Sequence, residues 1–513
     1  MKKEDSITNQ VIKNSIWNFL AIFVAKAGGL LFVAIVARLL LPEKYGIYAL
    51  ATSLALLTLT LTNRGVNQTL SRYVAEAIGK NNKKLAAAEY KFILNLKFLL
   101  TIISTALLFM LAYPLTFYVF KKPDLFFPLI ISSAYLFVLS FENFYLTLFY
   151  TIKKAKYLVS REAILQSCKV LFILFISVFV AKIYHISAVI LILIISVLVS
   201  FFFLFTYLKK IIPFIFVKSN EKVKKKRILK FLYYSCLVGT SVVVFAYVDI
   251  IMLGIFLTSE YTGYYSAAFA IIGSLYSFIL IANVLIPFFT QMKKDNLPRA
   301  FDKIFRYLSL ISFPMVFGVI VLGKYFIRLF YGHHYLPAAL PLYFLAILIF
   351  EMPVIDALKS LLFAREKPKY FAKIVLASIL INISLNYFLI TNLLKISMIW
   401  AMTGVAIATL VSRTFLLVSI SHTARKKLQI FFKLKYIVRP LISALIMALA
   451  LFFINLHIKD MTLLIGIGEI FLGAAIYITL LYNLGGFTTK DVDVFWEIIS
   501  PKKRILNKNF LKR

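Results

Sequence analysis

Residues 39–51 read LLLPEKYGIYALA, and residues 256–268 read FLTSEYTGYYSAA. Both stretches interrupt long apolar runs. A shift of 217 pairs Glu43 with Glu260, Gly46 with Gly263 and Tyr48 with Tyr265. A second correspondence lies further along. LFYTIKKAKY at 148–157 and SLLFAREKPKY at 360–370 pair Lys156–Tyr157 with Lys369–Tyr370 at a shift of 213. The chain is therefore written as two similar units in series.

The runs between these marks are long enough to cross a bilayer, which takes about 20 mostly apolar residues. Fourteen segments qualify: 14–40, 45–63, 92–113, 125–150, 162–183, 186–208, 231–257, 263–287, 304–326, 337–361, 374–394, 398–420, 437–458 and 461–483. The composition agrees, since 62% of the 513 residues are hydrophobic, 15% are charged and the mean hydropathy is +0.90. A water-facing surface would need far more polar residues, so lipid covers much of this one. The basic N-terminus reads as the flank of a retained first span, because the apolar stretch that follows has no small-residue cleavage site.

Lys and Arg set the orientation. With the N-terminus inside, the cytoplasmic segments hold 45 of the 58 basic residues, the opposite loops 9, and the spans 4. Both termini are then cytoplasmic. Each matched turn joins the first and second span of a six-span set, and six is even, so the two units run parallel. The expected class is an all-α integral membrane protein of the cytoplasmic membrane with fourteen transmembrane helices. Residues 1–215 form a first lobe, 216–420 a second, 421–483 two added spans, and 484–513 a basic cytoplasmic tail. Residues 489–496 of the tail read as a short helix lying on the inner surface.

Several functions are excluded by the same reading. The net charge of +37 is spent on topology and on attraction to anionic lipid headgroups, for example in KVKKKR at 222–227, so no nucleic-acid partner is expected. Cys168 and Cys236 lie in apolar runs without CxxC spacing, and the adjacent His333 and His334 have no further ligand pattern. Neither a metal nor any other cofactor is expected. Outer loops of about a dozen residues leave no room for the reacting groups of a membrane polymerase, and no phosphate-cradling Gly-Lys-Ser/Thr loop is present. The chain reads as a transporter and not as an enzyme.

RLLLPEKYGIYALATSLALLTLTLTNRGVNQTLSRYVAE at 38–76 resembles the opening of Wzx-type oligosaccharide flippases, and YVDIIMLGIFLTSEYTGYYSAA at 247–268 resembles their second-lobe pattern. These flippases belong to the multidrug/oligosaccharidyl-lipid/polysaccharide exporter (MOP, MATE-like) superfamily. The resemblance covers nearly the whole chain. It implies alternating access between two lobes and an isoprenoid-pyrophosphate-linked oligosaccharide moved to the outer leaflet. It further implies a cationic cavity, for which Lys26 and Arg64 stand in the right places, and a lateral groove for the isoprenoid tail beside the last two spans. Glycan polymerases or ligases would be partners in the pathway. Two alternatives stay open: an ion-coupled drug antiporter of the same fold, and a structural subunit of a glycan-assembly complex.

Charges inside spans cost about 2.5–3.5 kcal/mol each on insertion scales, so each needs a reason. Lys26 lies mid-span beside Gly28 and Gly29, where a cation would offset desolvation of a pyrophosphate. Asp249 and Glu351 are the candidates for proton or sodium coupling. Glu162, Gln166 and Lys169 fall on one helical face, as do Ser378, Asn382 and Asn386; such faces either glue helices or line a sugar path. Asn67, Lys169, Asn283, Asn382 and Asn386 complete the candidate substrate-cavity set. Lys97, near a helix end, is expected to snorkel toward the inner surface.

Overall fold

The computed structural model describes residues 2–152, 154, 156–279, 289, 296–365, 367–458 and 462–486. The expected surface helix at 489–496 and the candidate Asn283 lie outside the described residues, and so does the side chain of Arg64.

Among the described residues the chain is helical, with no strand. The helices are α1 Lys2–Gly79, α2 Lys83–Pro114, α3 Phe126–Thr151, α4 Lys156–Phe179, α5 His185–Ile211, α6 Lys225–Phe256 and α7 Ser259–Ile279. They continue as α8 Leu297–Tyr331, α9 Ala339–Leu345, α10 Leu348–Ala364, α11 Pro368–Leu393, α12 Met398–Leu428, α13 Lys435–Asn455 and α14 Leu463–Asn483. Ten of the described helices are long and apolar enough to cross a membrane. The count is eleven if the segments 333–345 and 348–364, bent by 46° at their junction, form one span. The protein is a multi-pass membrane protein. Large apolar side chains point outward along the spans, among them Met110 on α2, Val178 on α4 and Leu464 on α14, each more than 70% exposed.

Apart from a few end residues, the described parts of the predicted segments lie on these helices: 337–361 is divided between α9 and α10, residues 280–287 lie outside the described residues, and two segments share α1. That helix breaks at Leu41, which has φ 59° and ψ 168°. The next residue, Pro42, disfavours the helical conformation of its predecessor and supplies no N–H to the turn before it. In the second unit the matching place is the gap between α6 and α7, where Leu257 is extended. The second sequence match behaves alike, since Lys156 and Lys369 both lie in the first turn of a helix, α4 and α11.

Packing follows the repeat. The first unit folds α2 through α5 around α1, and α1 then lies along α6 and α7 of the second unit. The two last helices stand apart from this seam. They pack on α8 through Leu310, Phe313, Ala444, Met447, Leu451, Tyr477 and Leu481, with Tyr477 Oη donating to Leu310 O at 2.8 Å.

Candidate functional site

The seam between the units is closed at the end away from the basic loops, the outer end by the charge bias. Here Gly46 and Gly263 meet. A Cβ built on Gly46 would fall 1.7 Å from Ser259 O, and one built on Gly263 would fall 2.1 Å from Pro42 O. Only hydrogen fits in either place, so backbone touches backbone. Around this contact Tyr335 Oη donates to Ala37 O at 2.9 Å, and Arg38 Nε donates to Phe330 O at 3.0 Å. Lys122 Nζ reaches Leu257 O at 2.8 Å; burial lowers this amine from its usual 10.5 to about 8.

A second closure lies toward the opposite end. A Cβ on Gly65 would fall 2.1 Å from Cys236 Sγ and 3.1 Å from Leu232 O, which sets α1 directly against α6. Beyond it Tyr73 Oη donates to Arg227 O at 3.2 Å, and Arg227 pairs with Glu76 at 3.3 Å. The hydrogen bond from Lys80, and then the charge of Arg227, hold the Glu76 carboxyl below its usual range.

Along the same seam α1 and α6 leave a cavity of about 320 Å³, lined by Leu56, Leu59, Thr60, Asn63, Asn67, Gln68 and Tyr247. Ligand sites begin at about this size. Behind its wall Lys97 is fully buried. It donates to Asn63 Oδ1 and, at 3.3 Å, to Thr62 O. Lys97 therefore does not snorkel: polar groups on α1 lie within reach of its ammonium, and a buried amine bonds to these in preference to extending toward water.

In the first unit a charged cluster joins three helices to α1. Glu142 on α3 is fully buried and accepts from Arg161 Nε at 2.6 Å and from Ser200 Oγ at 2.9 Å. The same guanidinium reaches Glu142 through Nη2 at 2.5 Å and also pairs with Glu162. Lys26 lies within electrostatic reach of Glu162, and Lys169 Nζ stands 5.6 Å from the ring centre of Phe32. Gly28 admits the Gln166 side chain, which a Cβ would meet at 2.6 Å. The polar face Glu162–Gln166–Lys169 thus turns toward α1, meeting it at Lys26, Gly28 and Phe32. Counted as ionised, three cations and two carboxylates leave this cluster one positive charge.

The second unit holds a different cluster. Asp249 on α6 is buried and accepts from three neutral donors: Tyr265 Oη at 2.8 Å, Asn386 Nδ2 at 2.8 Å and Thr409 Oγ1 at 2.5 Å. Asn382 Nδ2 reaches Thr409 Oγ1 at 3.4 Å, and Asn386 Oδ1 is buried with no hydrogen-bond partner. Arg413 sits 3.5 Å from the ring centre of Phe245, within electrostatic reach of Asp249. Asn382 and Asn386 therefore belong with Asp249, both fully buried. Glu351 is buried separately and accepts from Thr414 Oγ1 at 2.7 Å.

Sequence reasoning passed over Asn63, Arg161, Tyr247 and Thr409. Asn63 could have been found from its spacing of four to Asn67, one turn along a helix.

Comparison with known proteins gives a consistent picture. The family described as "Polysaccharide biosynthesis protein" matches residues 11–293. The chain is 25% identical over 246 residues to the "Probable low-salt glycan biosynthesis flippase Agl15" of Haloferax volcanii, covering 47% of this chain and 51% of that protein. It is 26% identical over 218 residues to an "Uncharacterized membrane protein in cps region" of Klebsiella pneumoniae, covering 40% and 41%. The matches span about half the length of these curated relatives or less. Among solved structures it is similar to the lipid II flippase MurJ in an inward closed conformation, with a TM-score of 0.72, 16% identity, and coverage of 91% of this chain and 98% of that one. It is also similar to an inward-facing MATE family transporter of the MOP superfamily, with a TM-score of 0.58, 14% identity, and coverage of 81% and 95%. At these identities the likeness is one of fold.

Proposed function

The chain belongs to the polysaccharide biosynthesis protein family, and on that premise we propose that it moves an isoprenoid-pyrophosphate-linked oligosaccharide from the cytoplasmic to the outer leaflet. The observation that carries this reading is the seam. Two similar lobes touch through bare backbone at one end and through α1 and α6 toward the other, with a cavity of mixed polar and apolar lining between α1 and α6. Such a seam serves alternating access, in which one lobe rocks against the other around a fixed site. The chain crosses fourteen times with both termini inside, and residues 1–215 and 216–420 are the rocking lobes.

Lys26, with Lys169 on the facing helix α4 and Arg64 further along α1, receives the pyrophosphate. The single excess positive charge of the first-lobe cluster favours an anion without fixing it in place. Spans 13 and 14, standing against α8, offer the isoprenoid a lateral surface.

Asp249 is the coupling group, loading a proton or a sodium ion. Its carboxylate, the unpartnered Asn386 Oδ1 and Thr409 Oγ1 form an oxygen-rich setting of the kind a hard cation takes. Glu351, buried beside Thr414, is a second proton carrier.

Depletion of the protein in its host, followed by analysis of isoprenoid-linked glycans, tests the proposal. A completed lipid-linked oligosaccharide accumulates, and Lys26→Ala fails to clear it while inserting normally. Unchanged lipid pools with altered resistance to cationic compounds would indicate the antiporter instead. Unchanged pools with no transport phenotype would indicate a structural subunit.

A further inference from the structure

The seam cavity presents amides, a threonine and a tyrosine, with no acid and no cation among its lining residues. Asn63 and Asn67 stand one turn apart on the same face of α1. Their hydrogen bonds give them opposite characters. Lys97 occupies Asn63 Oδ1, so the two N–H donors of that amide are left facing the other way. Asn67 Nδ2 instead donates to Asn143 O at 3.4 Å, and its Oδ1 has no hydrogen-bond partner. A donor amide and, just beneath the surface of the same wall, a buried unsatisfied acceptor thus stand side by side, with Tyr247 of the opposite lobe as an aromatic wall.

We propose that this pair binds an uncharged sugar ring of the transported glycan, an assignment that rests on the flippase reading and gives it a second subsite. A sugar hydroxyl both donates and accepts, so neighbouring hydroxyls satisfy Asn63 and Asn67 together. A carboxylate or phosphate only accepts, and would set its charge against Asn67 Oδ1. The anionic end of the substrate is therefore excluded from this cavity, and the sugar end is admitted. Lys97 touches no substrate. It is a positioning residue that acts by fixing the Asn63 amide.

The test uses the purified full chain in phosphatidylcholine nanodiscs. Saturation-transfer NMR is recorded with free glucose, galactose, N-acetylglucosamine and glucuronate as probes. The neutral sugars show transfer and glucuronate does not. Asn63→Asp keeps the side-chain volume and pairs with Lys97, but has lost the donor, so neutral-sugar affinity falls by about fivefold or more. Asn67→Asp keeps the acceptor, so affinity stays within about twofold. Lys97→Met weakens binding as Asn63→Asp does. Equal loss in both aspartate variants, no loss in either, or glucuronate binding as well as glucose overturns the assignment. Absence of any sugar signal, with lipid-linked glycan still accumulating on depletion, refutes the subsite and spares the flippase reading. The predicted split between variants, with unchanged lipid pools on depletion, does the reverse.

Discussion

Gly46→Ala places a methyl group where the outer closure has no room. Its carbon would fall 1.7 Å from Ser259 O, whereas a carbon and a carbonyl oxygen approach no closer than about 3.3 Å. The two backbones must separate by roughly 1.6 Å at that point, and no rotamer change relieves a contact made by main chain. Overpacking of this kind costs about 1–3 kcal/mol. Here the cost falls on one conformation only, the state closed at the outer end. The balance between closed and open forms therefore shifts by about 5- to 150-fold. Thr262, fully buried beside the contact, provides the reporter. In a Cys168→Ser/Cys236→Ser background, Thr262→Cys is labelled with a membrane-impermeant maleimide from the outer side. Labelling accelerates by that factor when Gly46→Ala is added, and Gly263→Ala acts in the same direction. An unchanged rate in a variant that retains its yield and gel-filtration profile would refute the view that this contact holds the outer seam shut.

Other perturbations address the clusters. Arg161→Met removes the guanidinium hydrogen-bonded to buried Glu142 and lowers stability by about 3–5 kcal/mol, read as a fall in the unfolding midpoint in detergent, and adding Glu142→Gln restores most of it. Sodium raises the unfolding temperature of the native chain relative to choline at equal ionic strength, and Asp249→Asn abolishes the difference; an equal sodium shift in both proteins removes Asp249 from ion binding. Lys122 gives a pH signature: its folded amine titrates at about 8 and its unfolded one at 10.5, so the unfolded chain holds the proton more firmly between those values. Stability rises with pH across that window by this group's share, and comparing the native chain with Lys122→Met over pH 7–11 isolates it.

Much of the fold was legible because lipid makes length and hydropathy decisive. The break at Leu41 was written in the proline that follows it, and the spacing of Glu162, Gln166 and Lys169 put them on one face, which packs against α1. What could not be read was who faces whom. Asn382 and Asn386 announced a shared face by their spacing of four, but the carboxylate that Asn386 meets lies 137 residues earlier, on a helix placed only by lobe packing. Lys97 failed for the same reason, since Thr62 and Asn63 on α1 decide its environment and nothing near Lys97 in sequence signals them.

The outer contact also joins the two halves on equal terms. Gly46 rests on the carbonyl of Ser259, and Gly263 on that of Pro42. Pro42 and Ser259 are again 217 positions apart, so each half gives the other what it receives. That reciprocity is the mark of an isologous two-fold interface. Here the two sides of the interface are the two similar units of a single chain, and each glycine meets the carbonyl at the equivalent place in the other unit. The reciprocity stops at the backbone: Asp249 in the second unit has Phe32 as its partner by the same shift, so the two halves share a contact and differ in chemistry.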